Sequence, residues 1–215
     1  MRKPTVGLVA VLVLMTGGWL WALQQCRIEV RESIVYATTS GEDLRLDLAL
    51  PDGAGPFPLI VCIHGGAWRS GDKSKYRSTI EEFARNGYVA ATIQYRHAPK
   101  HKFPAQVEDS KSAVRFLRTN ASAYRIDPQH VGAMGDSAGG HLSLMLGLLN
   151  PEDGLEGGET NVNALSSKVQ AVVNHYGPTD LSVKESWAEG QVRQAEYFLG
   201  TSDANSPVVK RASPV

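Results

Sequence analysis

The sequence predicts an α/β fold, a mostly parallel β-sheet with helices on both faces. Three observations carry this expectation. Four short stretches, "FPLIVCI", "YVAATIQY", "HVGAMGD" and "VQAVVNH", are rich in apolar residues, as strands buried on both faces of a parallel sheet are. Segments with apolar residues at helical spacing separate them, the order expected of βαβ units. The chain has 215 residues, 42% of them hydrophobic, enough for one domain with a sizeable core and too few for two large ones.

The N-terminal residues 1–25 read as a targeting segment, which leaves the α/β domain to 28–215. Arg2 and Lys3 precede an apolar run from Val6 to Thr16, the charged and apolar regions of a signal peptide. Continued to Leu23, the run reaches about 18 residues, the lower limit for a membrane span. A retained N-terminal membrane anchor is therefore the second reading. Either form is exported, whether periplasmic, extracellular or membrane-anchored. Cys26 follows as a lipidation candidate, although Gln25 stands where lipoprotein processing prefers a small residue.

From Ile28, "IEVRESIVYAT" and "LRLDLALP" alternate apolar and polar residues like half-buried antiparallel strands, the second ending at Pro51. "FPLIVCIHGG" is the first buried strand. "YRSTIEEFARNG" spaces Ile80, Phe83 and Ala84 on one helical face and stops at Asn86-Gly87. "YVAATIQYR" is the second buried strand, and "PAQVEDSKSAVRFLRTN" a helix with Pro104 near its first turn. "HVGAMGDS" is a strand running into a turn, "AGGHLSLMLGLL" the helix after it, and "VQAVVNHYG" a fourth buried strand. The Gly- and Glu-rich stretch 150–167 is expected to be a surface insertion.

Composition excludes several classes. Lys+Arg and Asp+Glu both total 22, so nothing points to nucleic acid or an anionic surface. The two cysteines cannot form a disulfide framework, and Cys62 lies in a buried run. His97, His101 and His130 lack metal-ligand spacing, so neither a metal nor another cofactor is expected.

The chemistry concentrates in two short stretches. "GDSAG" places Ser137 at a strand-to-helix junction, where a sharp turn exposes a nucleophile. Gly135 and Gly139 suit the close approach of strand and helix there, with Asp136 beside the serine. The Ala138 amide can then face a developing oxyanion, aided by the helix N-terminus. "HGGAW", His64 to Trp68, follows the first buried strand. Its glycine-rich turn, with Gly65, can present the Gly66 and Ala67 amides to the same oxygen, because no Cβ blocks the approach. His64 is expected to hold that loop by side-chain hydrogen bonds rather than to act as base. Glu108 and Asp109 read as structural. Tyr95, Arg96 and His97, after a strand end, read as bracing or lining the site.

Together "HGGAW", "GD" at 71–72, "GYVAATIQYRHAP", "FPAQVED" and "GDSAGGHL" resemble the α/β-hydrolase fold. The likeness is to its hormone-sensitive-lipase-like and bacterial feruloyl-esterase-like carboxylesterases. The landmarks keep the family's order over 59–148, with weaker likeness from about 34 to the C-terminus. Ala67 departs from the third glycine of many relatives but retains its N–H. The resemblance implies acyl transfer from a small-molecule or polysaccharide-linked ester, with Ser137 as nucleophile and Gly66, Ala67 and Ala138 as the oxyanion hole. It also implies that the triad acid and histidine follow the serine in that order.

No such pair follows Ser137 in this chain. His141 lies one turn along the same helix, and His175 precedes Asp180, the wrong order. The acid, the base and the last strands of the sheet are therefore expected beyond residue 215, and the chain alone is expected to be nearly inactive. Two rivals stay open, an exopeptidase of prolyl-oligopeptidase type and a non-catalytic hydrolase-like binding module. The N-terminal reading has its own test. Fractionation of cells making the full-length protein is expected to find it outside the cytoplasm, and soluble cytoplasmic protein with an intact N-terminus would refute export.

Overall fold

A computed structural model describes residues 27–157, 165–183 and 187–214. The expected targeting segment and Cys26 lie outside the described residues. Six strands form one sheet in the order β1-β2-β4-β3-β5-β6. They are β1 (Ile28–Thr39), β2 (Glu42–Pro51), β3 (Phe57–Ile63), β4 (Val89–Ile93), β5 (Ile126–Asp136) and β6 (Ala171–His175). The β1–β2 and β2–β4 pairs are antiparallel, and β4, β3, β5 and β6 run parallel. A mostly parallel sheet is what the buried runs implied.

Among the described residues six α-helices accompany it: α1 (Arg77–Arg85), α2 (Ala105–Thr119), the single turn α3 (Ala121–Tyr124), α4 (Ala138–Leu148), α5 (Glu189–Leu199) and α6 (Pro207–Arg211). Successive strand residues point to opposite faces, and the two faces bury different partners. Ala49, Cys62, Ala90 and Met134 pack with Tyr76, Ile80 and Ala84 around α1. Leu48, Leu50, Val61, Ile63, Ala91 and Ala133 join the larger cluster with Val107, Val114 and Leu117 of α2 and Leu142 and Met145 of α4. Each fully buried leucine of this kind contributes about 1.5–3 kcal/mol of transfer free energy. Burial pushes the free Cys62 thiol up to about 12.

Two expectations need correction. The stretch at β6 is not buried on both faces: Val173 is 51% exposed, while Val172 packs toward Gly147 of α4. Among the described residues β6 is an edge strand with a helix on one side only, so its apolar sequence does not enforce burial on the other. Nor are the described residues of 150–167 purely a surface insertion, 158–164 lying outside them. Leu155 is buried in the main cluster, and Glu156 accepts from Lys111 Nζ and Arg115 Nη1 on α2. A buried pair of cations requires that carboxylate, because removing it would leave uncompensated charge. No described helix is long and apolar enough to cross a membrane.

The junction of β5 and α4 sets the tightest spacing. A Cβ on Gly139 would stand 1.9 Å from the Ile63 carbonyl oxygen, whereas one on Gly190 of α5 would meet nothing within 4 Å. Gly139→Ala is therefore expected to unfold the protein or cost more than about 3 kcal/mol. Gly190→Ala is expected to raise stability by up to about 1 kcal/mol. Thermal melts of the two variants check the contrast.

Candidate active site

Ser137 stands between β5 and α4 with φ 50° and ψ −119°, a left-handed-side conformation that strains any residue with a Cβ. Its neighbours hold it there. Its N–H donates to the His175 carbonyl at 2.8 Å, and its carbonyl accepts from the His141 N–H at 3.0 Å. Gly135 is equally constrained, because a Cβ would come within 2.5 Å of the Ile63 and Gly139 carbonyl oxygens. The sharp turn expected from "GDSAG" is present.

The loop after β3 is built on three successive positive φ values, 121° at Gly66, 53° at Ala67 and 57° at Trp68. Arg69 and Ser70 N–H groups close it onto the Gly66 carbonyl at 3.0 and 3.1 Å. A Cβ at Gly66 would lie 2.1 Å from the Ser70 carbonyl oxygen, so glycine is obligatory there. Among the described residues no acceptor is bonded to the Gly66, Ala67 or Ala138 amides. Unpaired amides in a rigid turn are what a developing oxyanion needs.

Asp136 ties this loop to the serine turn. Its carboxylate accepts from the Gly65 N–H at 3.1 Å, the Tyr76 hydroxyl at 2.9 Å and Lys75 Nζ at 2.6 Å. Burial alone would raise its pKa, but these bonds outweigh burial and hold the carboxyl below the ordinary range. Its partners Lys75 and Tyr76 escaped the sequence reading, because some 60 residues separate them from Asp136 and no local pattern links the two. Tyr76 is shifted up, chiefly by burial and then by that hydrogen bond.

His64 is bonded within the loop. Its Nδ1 donates to the Gly65 carbonyl at 2.8 Å, and its ring stacks on Tyr95 at 4.4 Å, whose hydroxyl donates to the His64 carbonyl. Burial lowers the His64 pKa, which keeps the ring neutral. Arg96 pairs with Glu108 and Asp109 of α2 and so ties the end of β4 to that helix.

Ser137 and Ala67 open into one cavity of about 240 Å³, together with Trp68, Tyr176, Pro178, Trp187, Gln191 and Gln194. Gly66 and Ala138 are chain neighbours of the first two but do not line it. The wall from Trp187 to Gln194 also escaped the sequence reading, since α5 carries no motif. Trp68 is fixed by two neighbours. It stacks on Phe198 at 4.3 Å, meets His141 edge-on and donates Nε1–H to His141 Nδ1 at 3.2 Å.

His141 cannot serve as base. Its Nε2 donates to the Ala212 carbonyl at 2.7 Å while its Nδ1 accepts from Trp68, so both nitrogens are engaged. Burial pushes its pKa down to about 4. His175 meets Ser137 only through its backbone carbonyl, and Asp180 is turned to Ser182. Among the described residues no imidazole bonds to the Ser137 hydroxyl, and no group could hold a metal ion. The arrangement can thus place a hydroxyl beside unpaired amides without supplying its base.

Comparison with known proteins bears on this geometry. The BD-FAE family model matches residues 46–215. The chain belongs to the BD-FAE family. Among curated relatives of this BD-FAE chain, esterase LipC of Mycobacterium tuberculosis is 28% identical over 200 residues, 90% of the chain and 49% of LipC. Esterase 2 of Thermogutta terrifontis with bound propionate superposes with a TM-score of 0.68 at 28% identity, covering 90% of the chain and 68% of that structure. A truncated form of a carbohydrate esterase from gut microbiota gives 0.76 at 29% identity, covering 86% and 71%. The chain spans about half or less of the length of the curated relatives it matches.

The buried His141 predicts a pH dependence of stability. Its folded value near 4 lies below the ordinary 6.5, so between those values the unfolded chain binds more protons. The stability it supports is complete above pH 6.5 and is lost as pH falls toward 4, by at most about 3 kcal/mol. Denaturant melts from pH 7 to 4 are expected to show a shallower decline for His141→Gln than for the wild type.

Proposed function

We propose that the protein hydrolyses carboxylic esters through an acyl-enzyme formed on Ser137. The observation that carries this reading is the strained Ser137 turn opening into the same cavity as Ala67, next to amides without acceptors. Ser137 Oγ attacks the ester carbonyl carbon and gives its proton to a general base. The tetrahedral oxyanion is received by the Gly66, Ala67 and Ala138 amides, and the alcohol leaves with the proton. Water, deprotonated by the same base, then releases the acid. His64, Gly65, Gly135, Asp136 and Gly139 hold the geometry. Because His141 is sealed on both nitrogens, we assign the base and its acid to sequence outside the described residues.

The esterases among the relatives support the reaction class, and the carbohydrate esterase structure supports esters linked to polysaccharide as well as small-molecule esters. No observation favours the exopeptidase or the binding module. Arg2, Lys3 and the apolar run behind them support export, with membrane attachment if that segment is kept.

Hydrolysis of p-nitrophenyl acetate and butyrate by the full-length protein tests the proposal. Ser137→Ala is expected to lower kcat/KM by about a thousandfold or more and to abolish labelling by a fluorophosphonate. Undiminished turnover in the folded variant would overturn it.

A further inference from the structure

The α5 side of the cavity has a fixed hydrogen-bonding polarity. Gln191 and Gln194 sit about one turn apart on α5, and both line the cavity with Ser137. A primary amide offers an acceptor oxygen and two donor hydrogens, and its other bonds decide which of them faces a ligand. Gln194 Oε1 accepts from Arg69 Nη1 at 2.6 Å. Arginine has no acceptor, so only the amide oxygen can make that contact. Gln191 Oε1 accepts from the Ala188 backbone N–H at 2.9 Å, again from a group that only donates. Each of these bonds turns the amide oxygen toward the protein. Among the described residues no acceptor is bonded to either Nε2, so the NH2 groups of both glutamines keep unpaired donor hydrogens.

Arg69 is itself held in place. Its guanidinium lies 4.2 Å above the Tyr197 ring, and its backbone N–H donates to the Gly66 carbonyl at 3.0 Å. The arginine that orients Gln194 thus belongs to the same loop as Gly66 and Ala67. The remaining surface around the serine is largely aromatic and apolar, from Tyr176, Pro178 and Trp187, and no lining residue among the described ones carries a formal charge. Neutral donors beside aromatic faces fit a neutral ligand with acceptor oxygens. A hydrocarbon in their place would leave the amide hydrogens facing it unpaired, which a site of this kind discriminates against.

Resting on ester hydrolysis at Ser137, the geometry points to a substrate class: neutral esters whose acid or alcohol part carries ether, hydroxyl or carbonyl oxygens beside an apolar face. These are preferred over hydrocarbon esters of the same shape. Gln191 and Gln194 read the oxygens, and Arg69 is a positioning residue that keeps the Gln194 amide from turning over.

Two shape-matched pairs of esters test this with the full-length protein. p-Nitrophenyl methoxyacetate against p-nitrophenyl butyrate probes the acid part, and tetrahydropyran-4-yl acetate against cyclohexyl acetate probes the alcohol part. The kcat/KM ratio within each pair is compared between wild type and variants, so that differences in intrinsic reactivity cancel. In at least one pair the oxygen preference is expected to fall about tenfold in Gln194→Leu, the loss of one hydrogen bond of about 1.4 kcal/mol. Gln194→Glu, which still accepts from Arg69 but has no NH2 group, is expected to fall as far. Arg69→Met leaves the lining residues unchanged and is expected to lower the same ratio by a smaller factor. Unchanged ratios in both pairs for both Gln194 variants, with turnover retained, would overturn the inference. Failure of the Ser137 reading would show separately, as turnover that survives Ser137→Ala.

Discussion

The first turn of α4 lies so close to the end of β3 that neither Gly135 nor Gly139 has room for a methyl group, and the rest of the site follows from that contact. It brings the serine turn and the loop from Gly65 to Trp68 side by side. It also forces the change of direction at Ser137 to occur within a single residue of unfavourable φ. The strain is held by the bonds to His175 and His141 on either side of that peptide. Asp136 then converts proximity into registry. One carboxylate joins the end of β5, the loop after β3 and the turn before α1.

Most of the fold could be read in the sequence because parallel strands leave a strong trace. "FPLIVCI" and "VAATI" are apolar along their length since both faces of β3 and β4 are covered. The two glycine-bearing motifs were legible for a related reason, as each glycine marks a place where backbone meets backbone. What the sequence could not convey were contacts between distant segments. The exposure of Val173 depends on what lies beside β6, not on the strand's own residues. The docking of Glu156 depends on two cations that come from another helix. Lys75, Tyr76, Gln191 and Gln194 reach the site only through tertiary packing, so no spacing rule announces them.

The loop and the serine helix are also connected from behind. Trp68 rests on Phe198 of α5 and bonds His141 of α4, and His141 bonds the Ala212 carbonyl just past α6. The orientation of a residue beside Ala67 therefore depends on helices more than a hundred residues later in the chain. A neutral imidazole is the joint, and it holds because one nitrogen donates while the other accepts. Local motifs furnish the reactive group, and the later helices furnish its rigidity.

Cys62 sits near the C-terminal end of β3, between β4 and β5, with its thiol sealed under α1. A thiol pushed up to about 12 carries almost no thiolate at neutral pH, and no reagent can reach it while α1 covers that face of the sheet. Its alkylation therefore requires α1 to come away from the sheet. The rate at which this one sulfur is modified is a clock for the uncovering of that face, ticking independently of any chemistry at the serine.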